Sequence, residues 1–284
     1  MNAPSITRQR LELKYKLNRQ AIAEFSRRIA AHVTEHRFQG EGANRLPRAR
    51  QYITTVYFDT SSRDLYRAVR EDDDNLKIRA REYYDVHPEL LELATNAHEI
   101  IRHSPVCWVE VKGKQAGRTY KRRIGIPKSD LAAFFEQGVV SQGMRDLKRR
   151  KRAEQDEAVI DELLALRERY REPLRPSCLV NYRRTAFQDP TDALRITIDQ
   201  RLACYRVPAD PWQQPHSLHR DQLGLPAYEE NACVVELKSK EPAPDWLAAL
   251  LSDSGAQLVT FSKFLTASEA VHGLANERPE HDDA

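Results

Sequence analysis

The sequence predicts an α+β fold, an eight-stranded antiparallel β tunnel or barrel with helices packed outside it. Three observations predict it. Six short segments repeat one two-residue alternation, apolar at one parity and Lys or Arg at the other. Two further segments, 51–59 and 176–188, supply the remaining strands. Between the strands lie stretches whose apolar residues recur at helical spacing.

The alternation is fullest in 75–81, Asn-Leu-Lys-Ile-Arg-Ala-Arg, with Lys77, Arg79 and Arg81 on one face and Leu76, Ile78 and Ala80 on the other. In 11–17, Glu12, Lys14 and Lys16 share a face. Glu110 and Lys112 stand against Val109 and Val111. Lys121 and Arg123 stand against Tyr120, Ile124 and Ile126, with Arg122 on the apolar side. Arg195, Thr197, Asp199 and Arg201 stand against Ile196 and Ile198, and Glu236 and Lys238 against Val235 and Leu237.

The elements follow in order. Ile22, Phe25, Ile29 and Val33 predict a helix over 18–38, with Asn18 as its N-cap. Residues 39–50 read as a loop, 61–69 as a short helix and 71–74 as an acidic turn. Residues 87–103 read as a helix-forming excursion between strands. Gly113 and Gly117 frame a hairpin of 105–112 with 118–126. Pro127 and Asp130 open a helix to about Glu136, and a long charged helix spans 142–171. Its basic run 148–152 reads as a solvated face. A second hairpin, 176–188 with 193–206, turns at Asp189–Asp192. After an irregular stretch, 207–228, come a strand at 234–238, a helix at 244–251 and a last helix at 261–274 capped by Ser262. Residues 1–274 read as one domain, and the acidic tail 275–284 as disordered.

Composition narrows the function. Forty-five basic residues against 42 acidic ones leave a net charge of only +3, so bulk charge does not mark a nucleic-acid binder. The four cysteines are far apart and form no Cys-x-x-Cys pair, which argues against a zinc knuckle or dithiol site. No stretch nears the roughly 18 apolar residues of a membrane span, and 1–10 lacks the apolar run of a signal peptide. A soluble, cytoplasmic protein is expected.

With helices covering the apolar faces, the charged faces point somewhere shared, and a closed barrel gives them an interior; the alternative is an open sheet with one solvated face. Uncompensated, each cation buried in such an interior costs several kcal/mol. Such a set is sustainable as a wet channel for a polyanion, where Arg grips phosphate oxygens bidentately and Lys acts as a point charge. An enclosed channel of that kind does not admit a nucleic-acid duplex. The carboxylates Glu12, Glu110, Asp199 and Glu236 are too few to neutralise the cations and are placed to bind a divalent metal. For Glu12 and Glu110, salt bridges to neighbouring lysines are the competing role.

Eight segments in order then carry a resemblance: Glu12-Leu-Lys-Tyr15, Tyr57-Phe-Asp-Thr60, Lys77-Ile-Arg-Ala-Arg81, Glu110-Val-Lys112, Tyr182-Arg-Arg-Thr-Ala-Phe187, Arg195-Ile-Thr-Ile-Asp199, Val235-Glu-Leu-Lys238 and Ser262-Lys-Phe264. Together the chain resembles the VTC (vacuolar transporter chaperone) polyphosphate polymerase domain, one of the CYTH-like triphosphate tunnel metalloenzymes. The resemblance implies a tunnel, a divalent metal (Mn²⁺ favoured, Mg²⁺ possible), and transfer of the γ-phosphate of ATP or another triphosphate to a growing polyphosphate chain. It implies phosphate-gripping catalytic roles for Lys14, Arg79, Arg81, Arg184, Arg195 and Lys263, and metal ligation by Glu236. The strand faces add Lys16, Lys77, Lys112, Lys121, Arg123 and Lys238 as substrate-binding residues, and Lys121 also falls at a lysine of the family's tunnel.

Two departures bear on function. The chain shows neither the phosphate-sensing N-terminal domain nor the membrane helices of the eukaryotic polymerase subunit, so export of product is not expected of it alone. Arg10 interrupts the Glu-x-Glu-x-Lys signature of the hydrolytic relatives, leaving Glu12 and Lys14. A metal-dependent triphosphatase and a non-catalytic polyphosphate-binding module are the alternatives. The sequence names no protein partner.

Overall fold

The computed structural model describes residues 11–38, 50–71, 76–84, 105–115, 118–147, 153–212, 218 and 220–274. The loop expected at 39–50, save Arg50, the acidic turn beyond Glu71, the excursion at 87–103, the basic run at 148–152 and the acidic tail lie outside the described residues. Asn75, which opens the fullest alternating stretch, lies outside them too.

Ten strands are described: β1 (Leu11–Asn18), β2 (Arg50–Asp59), β3 (Lys77–Tyr84), β4 (Val106–Gln115), β5 (Arg118–Pro127), β6 (Arg175–Gln188), β7 (Leu194–Tyr205), β8 (Tyr228–Glu229), β9 (Ala232–Ser239) and β10 (Gln257–Leu258). Their order is β10-β1-β9-β7-β6-β2-β3-β4-β5, with β8 on β7. The expected eight strands are therefore joined by two of two residues each, and the described sheet is a path with two ends rather than a closed ring. Part of the outer edge of β1 is taken by β10, where Tyr15 pairs with Leu258 and Lys16 with Gln257.

Among the described residues there are seven α-helices: α1 (Ile22–Ala30), α2 (Asp64–Arg70), α3 (Lys128–Gln137), α4 (Gln142–Leu147), α5 (Ala153–Tyr170), α6 (Asp245–Asp253) and α7 (Lys263–His272). The chain divides into two compact units.

The first unit holds Met1–Tyr52, Tyr182–Leu202 and Glu229–Phe261. Its core shows why the alternation matters. Leu17, Ile196, Ile198, Cys233, Val235 and Leu237 leave the strands on one side and meet Phe25 and Ile29 of α1 and Leu247, Leu250 and Leu251 of α6. Burying one such side chain is worth about 1.5–3 kcal/mol, so a one-residue slip of register would forfeit the whole layer. Asn18 does cap the first helical turn, its side chain accepting from the Gln20 amide at 2.9 Å, but that turn is 3₁₀ and α1 ends at Ala30 instead of reaching residue 38. The reason is competition for the backbone: Thr34 and His36 exchange hydrogen bonds with Gln188 and Ala186 near the end of β6.

The second unit holds Ile53–Asn181, Ala203–Tyr228 and Ser262–Ala284. Ile78, Ala80, Val109, Val111, Ile124 and Ile126 are at most 1% exposed. β5 packs against α3, α4 and α5. Arg122, the cation on the apolar side, reaches the rim and pairs with Glu162 of α5 at 3.0 Å, while Tyr120 donates to the same carboxylate at 2.8 Å. The start of α2 is held by Asp59, whose carboxylate accepts from the amides of Thr60, Leu65 and Tyr66 at 2.8–3.0 Å. Burial raises the Asp59 pKa to about 6 against the pull of those amides.

Candidate functional site

Strand pairing converts the alternation into a surface. Lys77 lies opposite Lys112 and Lys112 opposite Lys121; Arg79 lies opposite Glu110 and Glu110 opposite Arg123; Arg81 lies opposite Trp108 and Trp108 opposite Gly125. Directly opposed residues of antiparallel strands point the same way, so these nine positions form one three-by-three face of β3, β4 and β5. Six of the nine are Lys or Arg and one is a carboxylate.

That carboxylate is heavily contested. Glu110, 1% exposed, lies 2.7 Å from Arg79, 3.5 Å from Arg81 and 2.7 Å from Lys121. Arg79 also donates through Nε at 2.8 Å. Burial pushes the Glu110 pKa up, but Arg81, Arg79 and Lys121 outweigh it and hold it at about 2. Lys121 moves down to about 8, through desolvation opposed by Glu110, with Arg79 and Arg81 pushing the same way as desolvation. Arg123 takes a different partner, its guanidinium lying 4.6 Å from the centre of the Trp108 ring.

The first unit carries a second charged face. Glu12 stands opposite Lys238 and Lys238 opposite Arg195; Lys14 stands opposite Glu236 and Glu236 opposite Thr197. Lys238 lies 2.8 Å from Glu236 and 3.4 Å from Glu12, so two carboxylates converge on one ammonium. Lys14 lies 3.6 Å from Glu12 and donates to the Phe261 carbonyl at 2.8 Å. Lys16 pairs with Glu230 at 2.9 Å. Arg184 grips Asp199 with two parallel bonds of 2.6 and 2.7 Å. Burial works against the Arg184 charge, but Asp199 prevails and holds its pKa well above the usual range. Thr197 is 5% exposed, and its hydroxyl has no hydrogen-bond partner among the described residues.

The expected site residues thus fall into two groups. Lys77, Arg79, Arg81, Lys112, Lys121, Arg123 and Glu110 share the face in the second unit. Glu12, Lys14, Arg195, Glu236 and Lys238 share the face in the first, with Lys16 on the same side of β1 and the Arg184–Asp199 pair beside them. Lys263 begins α7, next to its cap Ser262. Of the four expected metal ligands, Glu110 is engaged by three cations, Asp199 by Arg184, and Glu12 and Glu236 by Lys238. No cluster of three or more His, Cys, Asp or Glu residues suited to a metal occurs among the described residues. All four cysteines are buried, and none is in a disulfide.

Trp108 escaped the sequence reading: it sits at charged-face parity, which was the available signal, but bears no charge, while Thr197 was placed on its face without a role at the site.

A family model described as the VTC domain matches residues 9–272. The chain belongs to the VTC domain family. Both charged faces of this VTC domain lie within the matched span. Among solved structures, the PH1819 protein of Pyrococcus horikoshii OT3 is similar at 12% identity and a TM-score of 0.39, covering 94% of this chain and 100% of its own. A Bacillus halodurans protein provisionally assigned as an adenylate cyclase is similar at 12% identity and a TM-score of 0.45, covering 90% and 96%. No curated protein matches significantly. No helix among the described residues of the VTC domain is long and apolar enough to cross a membrane.

Proposed function

We propose that this VTC domain is a polyphosphate polymerase that transfers the γ-phosphate of ATP to a growing polyphosphate chain. One observation carries the reading: the β3–β4–β5 face sets six cations around a single carboxylate. Side chains brought together only to stabilise a fold would balance their charges, because like charges directly opposed across strands destabilise the pairing. A face of this composition is suited to a polyanion.

Phosphoryl transfer asks a protein mainly for position and charge neutralisation. Arg79 and Arg81 supply guanidinium donors to phosphate oxygens. Glu110 fixes their direction before substrate arrives, so less side-chain entropy is lost on binding. Lys77, Lys112 and Lys121 add point charges along one row. In the first unit Arg184, aimed by Asp199, offers the same chemistry, as do Arg195, Lys14 and Lys238. The acceptor is the terminal phosphate of a polyphosphate chain, already ionised at neutral pH, so no general base is required.

The family implies a divalent cation, Mn²⁺ or Mg²⁺. Such ions take one or two carboxylates, with phosphate oxygens and water completing the sphere. Glu236 and Glu12, which already converge on the Lys238 ammonium, fit that requirement, and the unpartnered Thr197 hydroxyl opposite Glu236 is a further oxygen donor. When bound, the ion would neutralise negative charge on the phosphate groups.

Incubation of the purified protein with ATP and Mn²⁺ tests the proposal. Long polyphosphate chains are expected. Release of free phosphate would make the protein a triphosphatase, and neither product would leave a binding module. Arg79→Ala should abolish chain synthesis while circular dichroism remains that of the folded protein. A variant with wild-type rates would remove Arg79 from the site.

A further inference from the structure

We propose that Trp108 is a positioning residue for Arg123, and that the two form a flat, preorganised oxyanion clamp on the β3–β4–β5 face; this rests on the phosphate-binding reading above. An indole on a charged face needs a reason. Trp108 is partly exposed and stands opposite Arg81 on one neighbouring strand and Gly125 on the other. The indole lies against Gly125: a Cβ built there would stand 3.7 Å from Cζ3 of the ring, an ordinary van der Waals contact, and 3.0 Å from Val106 Cγ1.

Above that ring lies the Arg123 guanidinium, 4.6 Å from its centre. Arg123 faces Glu110 in the strand register, yet Glu110 is occupied by Arg79, Arg81 and Lys121. Among the described residues the Arg123 side chain has no salt bridge and no hydrogen bond; the indole is its partner. Stacking occupies the face of a guanidinium and leaves its edge, with the N–H donors, open. An unstacked Arg on this exposed strand would have to be ordered by each incoming phosphate, whereas the stacked one is ordered beforehand. Arg123 is therefore a cation held in place and not neutralised, the state suited to bidentate phosphate binding.

The test is a double-mutant cycle read by calorimetric titration with sodium tripolyphosphate at low salt. Trp108→Ala changes no charge, yet it should weaken binding by about two- to fivefold, the scale of one exposed cation–π contact. Arg123→Ala should weaken it by about tenfold or more, the scale of a charge-assisted hydrogen bond. In the Arg123→Ala background, adding Trp108→Ala should cost nothing further. Trp108→Phe keeps a ring and should retain most of the affinity, while Trp108→Leu, apolar without a π face, should not; this pair decides the matter if the alanine variant folds poorly. Losses that multiply in the double variant, or a Leu variant that binds as tightly as the Phe variant, would overturn the proposal. If the wild-type protein fails to bind tripolyphosphate, the phosphate-binding reading falls and this inference with it; if it binds and the cycle is additive, only the Trp108 role is lost.

Discussion

Glu110→Gln isolates the electrostatic logic of the β3–β4–β5 face. The substitution keeps size and shape but removes the negative charge that Arg79, Arg81 and Lys121 share. The wild-type carboxylate is 1% exposed and titrates at about 2 instead of 4.5. A depression of that size corresponds to about 3 kcal/mol of stability at neutral pH. Removing one partner of a buried ion pair costs a similar amount, about 3–5 kcal/mol. At about 2–4 °C per kcal/mol, the variant should melt roughly 6–12 °C below wild type at pH 7. The sign of the pH dependence follows. The folded-state pKa is depressed, so the contribution is complete above pH 4.5 and is lost as pH falls through about 2. Wild type and variant should therefore converge in acid. Tripolyphosphate should raise the melting temperature of the variant more than that of wild type, because it supplies the charge the variant lacks. The assay is thermal denaturation at low ionic strength across pH, with and without tripolyphosphate. A variant melting within about 2 °C of wild type at pH 7, less than a 1 kcal/mol effect, would refute the reasoning. So would a gap that persists unchanged at the acid end.

Three further outcomes are expected. Lys121 loses its proton as pH rises through about 8, so tripolyphosphate affinity should fall across that range, whereas Lys121→Arg should flatten the profile; a wild-type profile already flat to pH 9 would dissociate Lys121 from binding. Thr197→Val, which removes only the hydroxyl opposite Glu236, should weaken Mn²⁺ by about tenfold in paramagnetic-resonance titrations, and unchanged affinity would exclude that oxygen as a donor. Asp59→Ala strips three backbone amides of their acceptor and should cost about 1–2 kcal/mol, seen as a lower melting temperature with tripolyphosphate affinity retained; loss of affinity instead would give Asp59 a role beyond holding α2.

Strand parity was legible in the sequence because burial enforces it. Ile78, Ala80, Val109 and Val111 are almost wholly removed from water, and a shift by one residue would put Arg79 and Glu110 in their places. The two-residue strands β8 and β10 were not legible, since no alternation fits in two residues. The end of α1 was hidden for another reason: Val33 continues the helical spacing and is buried, but residues 34 and 36 are claimed by β6, a long-range contact that no local pattern records. The Tyr57-Phe58-Asp59-Thr60 segment illustrates a motif whose residues serve the scaffold. Tyr57 and Phe58 are buried against aromatic rings of α7 and α3, and Asp59 caps α2.

Register, which the sequence alone does not fix, turns these rows into a physical argument. Lys77, Lys112 and Lys121 come from three strands, and as separate alternations each is unremarkable on a solvated face. Pairing places them abreast, three lysines in one row of the register, beside a row in which Glu110 is shared among several cations, the Lys121 ammonium included. Directly opposed like charges each cost a fraction of a kcal/mol. Moving any one of these lysines by a single residue would break the row, but it would also carry Ile78, Val111 or Ile124 out of the core, at about 1.5–3 kcal/mol each. Burial on the apolar side thus overrides repulsion on the charged side and holds the lysines abreast in the register. A polyanion laid along the row then meets charges whose mutual repulsion the fold has already overcome. Its binding should consequently stabilise the domain more than neutralising one or two isolated lysines would.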